Sequence, residues 1–201
     1  MRVVIQRVKH AQVSIDAQEY SHIEQGLLVL LGITHDDTAS DAEWLVQKIL
    51  KMRIFDDESG IMNRSVMDIQ GEVMVVSQFT LMAATQKGNR PSYIRAARPE
   101  HAKPLYQYFV ENLTQGLQRP VATGQFGADM SPSLWTHTTK NKPIIFSNKQ
   151  LQPYNILSLC LNITANVVTN TTITNMIAAA NTKGTNITTT TVNAVTHIMT
   201  M

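Results

Sequence analysis

The sequence predicts an α+β fold, of mixed α/β character, in a compact β-rich domain with two main helices. Short apolar runs rich in Val, Ile and Leu recur between turn residues, a pattern typical of strands. Only two segments space their apolar residues by three and four positions, as an amphipathic helix does. A chain that is mostly strand, with two well-separated helices, falls in the α+β or mixed α/β class.

The N-terminal residues predict three strands. Residues 2–8 and 11–15 both alternate in character, and we expect them to form a hairpin-like pair around Lys9 and His10. Residues 26–33 form an apolar run bounded by glycines, which is short enough for a fully buried strand.

The first helix is predicted to start near Ser40 or Asp41. Acidic residues lie in its first turn and basic residues in its last turn, which suits the helix dipole. Its apolar face is Ala42, Leu45, Val46, Ile49, Leu50 and Met52. The remaining predicted elements are a short strand from Ile54, a strand at 72–80, a helix from about Pro99 to Gln118, and a strand at 121–126.

The composition changes after Met130. Residues 1–130 hold all 15 acidic residues, whereas residues 131–201 hold four lysines, 16 threonines and 10 asparagines. We therefore predict a folded domain at 1–130 and a poorly ordered, low-complexity Thr/Asn-rich tail at 131–201. Since the basic pI of 8.7 comes from the tail, it does not indicate a basic nucleic-acid binder.

Other features of the composition favour a soluble cytoplasmic protein. Cys160 is the single cysteine, which rules out an intrachain disulfide. The N-terminus lacks the apolar core of a signal peptide, and we expect no membrane partner. The histidines have no cysteine or carboxylate at metal-ligand spacing, so no metal site is expected.

The candidate functional residues follow the apolar run Val73–Val76. Ser77-Gln78-Phe79-Thr80-Leu81 comes where this strand emerges, and a rigid strand end can hold hydroxyls, an amide and free backbone N–H groups in place. The basic loop Lys87–Ser92 has the character of a phosphate-binding loop, and a solvated basic face is the alternative.

With these motifs in view, residues 1–130 closely resemble the bacterial D-aminoacyl-tRNA deacylases of the D-Tyr-tRNA deacylase type. Several separate motifs in the right order make this resemblance specific, whereas the Ser77–Leu81 signature alone would not. The matching segments are residues 1–8, 26–32, 53–55, 62–65, 77–81, 90–92 and 123–128.

The resemblance implies a homodimer with each active site at the dimer interface, and an enzyme that hydrolyses the ester of D-aminoacyl-tRNA. The backbone N–H groups of Phe79 and Thr80 would stabilise the oxyanion, and Ser77 and Gln78 would hold the terminal adenosine or ribose. Thr80 as a nucleophile is the alternative, although no histidine lies near it in sequence.

Further contacts follow from the same resemblance. Met130 is expected to contact the substrate, and Lys87 and Arg90 the tRNA phosphates. The expected partner is the 3′ end of an aminoacyl-tRNA, with no DNA and no cofactor.

The chain departs from the family in one motif. These deacylases carry an Asn-x-Gly-Pro-x-Thr motif whose Gly-cisPro dipeptide excludes L-amino acids, but no Gly-Pro occurs in this sequence. From residue 131 onward we also expect the closing strand of the domain to be missing. The alternative function is therefore a catalytically impaired protein that binds the tRNA end or acts as an interaction module.

Overall fold

The computed structural model describes residues 1–16, 18–84, 90–128, 131–135 and 144–147, and their architecture confirms the α+β class. The elements are β1 (Arg2–Val8), β2 (His10–Ile15), β3 (Gln18–Ile23), β4 (Gly26–Gly32), α1 (Ala39–Lys51), β5 (Phe55–Asp56), β6 (Met62–Arg64), β7 (Glu72–Ser77), a 3-10 helix (Phe79–Met82), α2 (Pro99–Leu117), β8 (Ala122–Thr123), β9 (Ser131–Trp135) and β10 (Ile144–Ser147).

The largest sheet has five strands in the order β10-β1-β4-β7-β8. β1 is antiparallel to β4 and to β10, whereas β4, β7 and β8 run parallel. A second sheet has the order β3-β2-β9, and β5 pairs with β6. Because β4 and β7 are parallel while β1 runs antiparallel to them, Arg2, Gly32 and Ser77 all lie at the same end of the large sheet, where β4 and β7 finish.

Both long helices pack on one face of this sheet. Alternate residues of the central strands, among them Val3, Val29 and Val75, join the helix residues Ile49 and Phe109 in one buried cluster. The other face is also buried, since β4 is buried along its whole length. That burial explains why the β4 run is apolar without alternation.

The predicted hairpin of the first two strands is wrong. β1 pairs with β4 and β10, whereas β2 pairs with β3 and β9 in the second sheet. The side chains of β1 are buried on both faces, so this strand needs a partner along each edge inside the large sheet. The chain crosses between the two sheets at Lys9.

Two further strand predictions need correction. The strand predicted at 72–80 ends at Ser77, because the chain turns there into the 3-10 helix. The strand predicted at 121–126 is confined to Ala122 and Thr123. β3 was not predicted, since its residues are mostly polar and exposed.

The segment after Met130 contains strands that the sequence did not predict. β9 pairs with β2, and β10 pairs with β1 at the edge of the five-stranded sheet. The β-branched run Ile144-Ile145 fits a strand. The prediction that the domain lacks its family's closing strand stays a prediction. The Thr/Asn-rich residues 148–201 lie outside the described part of the chain.

Candidate active site

The predicted signature lies where β7 leaves the sheet. Ser77 is half-buried at the strand end, and the Gln78 backbone N–H donates to the Leu31 carbonyl at 2.8 Å. This bond extends the β4–β7 ladder by one residue before the chain turns. We call Gln78 together with the 3-10 helix Phe79–Met82 the site turn.

A hydrogen bond from α2 holds the strand that carries the site turn. The Tyr106 hydroxyl of α2 donates to the Val75 carbonyl at 2.8 Å. Burial, and secondarily the charge of Tyr20, raises the pKa of Tyr106 well above its usual value, so this donor keeps its proton. The strand under the site is thus held from the helix side of the sheet.

Gly32 allows the site turn to pack directly on the sheet. A Cβ at this position would lie 2.9 Å from the Leu81 Cβ and 3.1 Å from the Gln78 carbonyl oxygen. Neither atom is the end of a flexible side chain, so any larger residue would displace the turn. The absence of a side chain at Gly32 sets the position of the residues that follow β7.

The site turn presents two adjacent backbone donors. Its internal bonds are Leu81 N–H to the Gln78 carbonyl at 3.3 Å and Ala83 N–H to the Thr80 carbonyl at 3.1 Å. Within the described residues, the N–H groups of Phe79 and Thr80 have no acceptor. Two neighbouring free N–H groups on a rigid turn can stabilise a developing oxyanion.

The Thr80 side chain is bound by its neighbour rather than by a base. Gln78 Nε2 donates to Thr80 Oγ1 at 2.5 Å. In the part of the chain that the structure describes, no histidine or carboxylate bonds to Thr80. The arrangement lacks the nucleophile–base pair of an activated hydroxyl, so it favours the backbone-donor role over the nucleophile role.

An exposed aromatic pair borders the site turn. The Phe79 side chain is 57% exposed, and its ring meets Tyr93 edge-on, with centroids 5.3 Å apart and planes at 75°. Tyr93 was missed at the sequence level, because only the fold brings it to Phe79. Because of this exposure, Phe79 is not part of the hydrophobic core. Its ring offers a face on which a base can stack.

The basic loop is closed at its base beside this pair. Ala84 and Ser92 exchange two backbone hydrogen bonds, at 2.8 and 2.9 Å. Arg90 is exposed at the described end of the loop. Lys87 and Met130 lie outside the described residues, so their predicted contacts with tRNA and substrate stay predictions.

Two features are absent from the described residues. Within the described ranges, no helix has the length and hydropathy that crossing a bilayer requires. Across the same residues, no group of three or more His, Cys, Asp or Glu side chains is placed to hold a metal ion.

Solved structures share this fold. One described as the c-Myc DNA Unwinding Element Binding Protein matches with a TM-score of 0.69 and 38% identity, covering 75% of this chain and 100% of that chain. Another, from the structural analysis of a probable eukaryotic D-amino acid tRNA deacylase, matches with a TM-score of 0.62, covering 72% and 98%. At its 15% identity, the second likeness shows the fold alone.

Curated relatives and a family model agree. A D-aminoacyl-tRNA deacylase of Phocaeicola vulgatus is 52% identical over 149 residues, covering 71% of this chain and 99% of the relative. Its counterpart in Parabacteroides distasonis is 58% identical over 134 residues, covering 67% and 89%. The model of the D-Tyr-tRNA(Tyr) deacylase family matches residues 4–137.

These findings confirm the resemblance carried by the sequence motifs. The relatives are deacylases, which are hydrolases, and this chain is an enzyme of that class. It belongs to the D-Tyr-tRNA(Tyr) deacylase family.

Proposed function

We propose that this protein hydrolyses the ester bond of D-aminoacyl-tRNA and releases the free D-amino acid and the tRNA. The observation that carries the proposal is the pair of free N–H groups on Phe79 and Thr80, beside an exposed aromatic surface. Family membership supports the same reaction.

The chemistry needs little acid–base assistance, because an aminoacyl ester is already activated. A water oxygen attacks the ester carbonyl carbon, and the carbonyl oxygen becomes an oxyanion that accepts hydrogen bonds from Phe79 and Thr80 N–H. The bond to the ribose oxygen then breaks, and that oxygen takes up the proton that the attacking water loses. The neighbouring ribose hydroxyl of the RNA can carry this proton, since among the described residues no histidine or carboxylate bonds to Thr80.

Substrate binding uses the residues around the donors. The exposed Phe79 face, braced by Tyr93, stacks on the terminal adenine, while Ser77 and Gln78 hold the ribose. Lys87 and Arg90 contact phosphate, and Met130 contacts the substrate near the ester. A homodimer, in which each protomer completes the site of its partner, is part of the proposal.

The second candidate function, binding of the tRNA end without hydrolysis, is motivated by the missing Gly-Pro dipeptide. The sequence has no Gly-Pro dipeptide, and Lys142-Pro143 precedes β10. A site without that chiral filter would cleave both D- and L-esters, and a site with impaired catalysis would only bind the tRNA end.

The deciding measurement is hydrolysis of D-tyrosyl-tRNA and L-tyrosyl-tRNA by the full-length chain. Turnover of the D-ester supports the deacylase, and turnover of the D-ester alone means that selectivity survives without Gly-Pro. Cleavage of both esters indicates a working site without its filter. Binding of tRNA without hydrolysis of either ester would overturn the proposed activity in favour of the binding role.

A further inference from the structure

An arginine at the start of β1 lies against the site turn with part of its guanidinium unused. Arg2 donates from a terminal nitrogen to the Leu81 carbonyl, inside the site turn. Its Nε is buried and has no hydrogen-bond partner within the described residues. A buried donor without an acceptor is costly, and the planar guanidinium can donate several hydrogen bonds at once.

A second arginine is carried on a turn at the same end of the large sheet. Arg95 belongs to the turn in which the Ala96 N–H bonds the Tyr93 carbonyl at 2.9 Å. The next residue, Ala97, donates to the Ile33 carbonyl at 2.9 Å, directly after the Gly32 that faces Arg2 across the β1–β4 ladder. The turn that carries Arg95 is therefore anchored at the end of the sheet where Arg2 lies.

No carboxylate in the described part of the chain balances these two charges. Among the described residues, neither Arg2 nor Arg95 forms an ion pair, and burial first and the charge of Arg95 second lower the pKa of Arg2. Two neighbouring cations, one of them partly buried, repel each other unless an anion lies between them. A guanidinium pair suits an anion with several oxygens, of which phosphate is the best match.

We propose that Arg2 and Arg95 bind the phosphodiester on the 5′ side of the terminal nucleotide of the substrate RNA. The inference rests on the proposed function, because it assigns the part of the substrate next to the ester. In the terminal nucleotide, the aminoacyl ester and the 5′-phosphate are attached to the same ribose, so their binding sites must be close together. The protein meets this requirement, because Arg2 contacts Leu81, which directly follows the donors Phe79 and Thr80.

Two small substrates distinguish binding of this phosphate from binding of the ester. The first is adenosine esterified with D-tyrosine, and the second is cytidylyl-adenosine esterified with D-tyrosine, which adds one phosphodiester. We expect a KM about tenfold lower for the dinucleotide ester, the effect of one charge-assisted contact. Its log KM should also depend on log salt with a slope near that of one phosphate, about 0.7.

The exposed Arg95 is the variant to test, since its removal leaves the core intact. Arg95→Gln should raise KM about tenfold for the dinucleotide ester and leave both KM for the nucleoside ester and kcat unchanged. Arg98→Gln is the matched control, because Arg98 is exposed on the same segment and should change neither KM. Arg2→Lys loses the planar fork, so at an unchanged thermal midpoint it should raise KM more for the dinucleotide ester than for the nucleoside ester.

The outcomes separate this inference from the proposed activity. Equal KM values for the two esters, or an equal effect of Arg95→Gln on both, would overturn the phosphate site while leaving the deacylase intact. If the unaltered protein cleaves neither ester, the proposed activity fails and calorimetric titration with unreactive cytidylyl-adenosine and adenosine decides the site. Tighter binding of the dinucleotide that Arg95→Gln abolishes supports it, and equal binding of the two overturns it.

Discussion

Gln78 and Thr80 are joined side chain to side chain, with the Gln78 amide donating to the Thr80 hydroxyl at 2.5 Å. The bond spans the start of the site turn, where the two backbone donors lie. It fixes the Thr80 hydroxyl as an acceptor from an amide, and an amide cannot take up the proton that a nucleophilic hydroxyl must lose.

Removal of the Thr80 hydroxyl should therefore have a small effect. We expect Thr80→Ala to keep kcat/KM for D-tyrosyl-tRNA within about tenfold of the unaltered protein, because the backbone N–H remains and only the bond to Gln78 is lost. Thr80→Ser is the control that retains the hydroxyl. A loss approaching the roughly 10⁶-fold that deletion of a nucleophile causes in kcat would instead make Thr80 the nucleophile.

The donor role of Phe79 can be tested by deleting its N–H. Phe79 is the first residue of the 3-10 helix and follows Gln78, whose backbone is not helical (φ −140°, ψ 88°), a position where proline fits. Phe79→Pro removes both the ring and the N–H, whereas Phe79→Ala removes only the ring.

We expect kcat for Phe79→Pro to be about 10²-fold below that for Phe79→Ala, the usual effect of losing one oxyanion donor. Circular dichroism of both variants checks that the fold is retained. Equal kcat values for the two variants would exclude the Phe79 N–H from the reaction.

Gly32 links the sheet to the site. Gly32→Ala places a Cβ 2.9 Å from the Leu81 Cβ, so the site turn must move. Displacement of a catalytic group by a fraction of an ångström to 1 Å lowers kcat by up to about 10²-fold, and overpacking costs about 1–3 kcal/mol of unfolding free energy.

Gly116→Ala is the matched control for this substitution. Its Cβ would meet the Leu50 Cδ1, the end of a side chain that can rotate, on the helix side of the sheet. Its kcat should stay unchanged whatever its effect on the urea midpoint. A normal kcat in Gly32→Ala would show that the turn position does not control catalysis.

The sequence was sufficient for the elements that carry a local signal. Both helices begin within two residues of their predicted positions, since their signals are apolar periodicity and caps such as the Asp41 carboxylate that accepts the Thr38 N–H at 2.7 Å. The buried strand β4 was predicted with similar accuracy from its apolar run. These signals lie within a few residues of one another.

The rest depends on contacts between distant parts of the chain. β3 has polar, exposed residues, so only its pairing with β2 makes it a strand. In the site, the residues of the Ser77–Leu81 signature could be predicted because they are contiguous. Tyr93, Arg2 and Arg95 could not, since the packing of the 93–97 segment on the end of β4 brings them to the turn. No spacing in the sequence encodes that packing.

A buried ion pair next to Arg2, at the same end of the large sheet, should make the free energy of unfolding depend on pH. The Met1 ammonium donates to Asp37 Oδ1, and both side chains are fully buried. The other carboxylate oxygen of Asp37 accepts the Thr34 N–H at 2.6 Å. Burial alone would raise the pKa of Asp37, but the ammonium and the Thr34 bonds outweigh it, so the pKa of Asp37 is lowered.

The direction of the pH effect follows from this lowered pKa. The folded state holds the Asp37 carboxylate ionised more strongly than the unfolded chain does, so its stabilisation is present above the unfolded pKa of about 4 and is lost as the pH falls through the folded value.

Asp37→Asn should lower the unfolding free energy by about 3 kcal/mol at neutral pH, because it leaves the ammonium buried without its counter-charge. That difference should shrink as urea unfolding is repeated from pH 5 down to about pH 3. Glu111→Gln is the control, because Glu111 is exposed on α2 and its loss should change the unfolding free energy by under about 0.5 kcal/mol. An Asp37→Asn deficit that stays constant across this pH range would mean that the carboxylate charge is not what stabilises the fold.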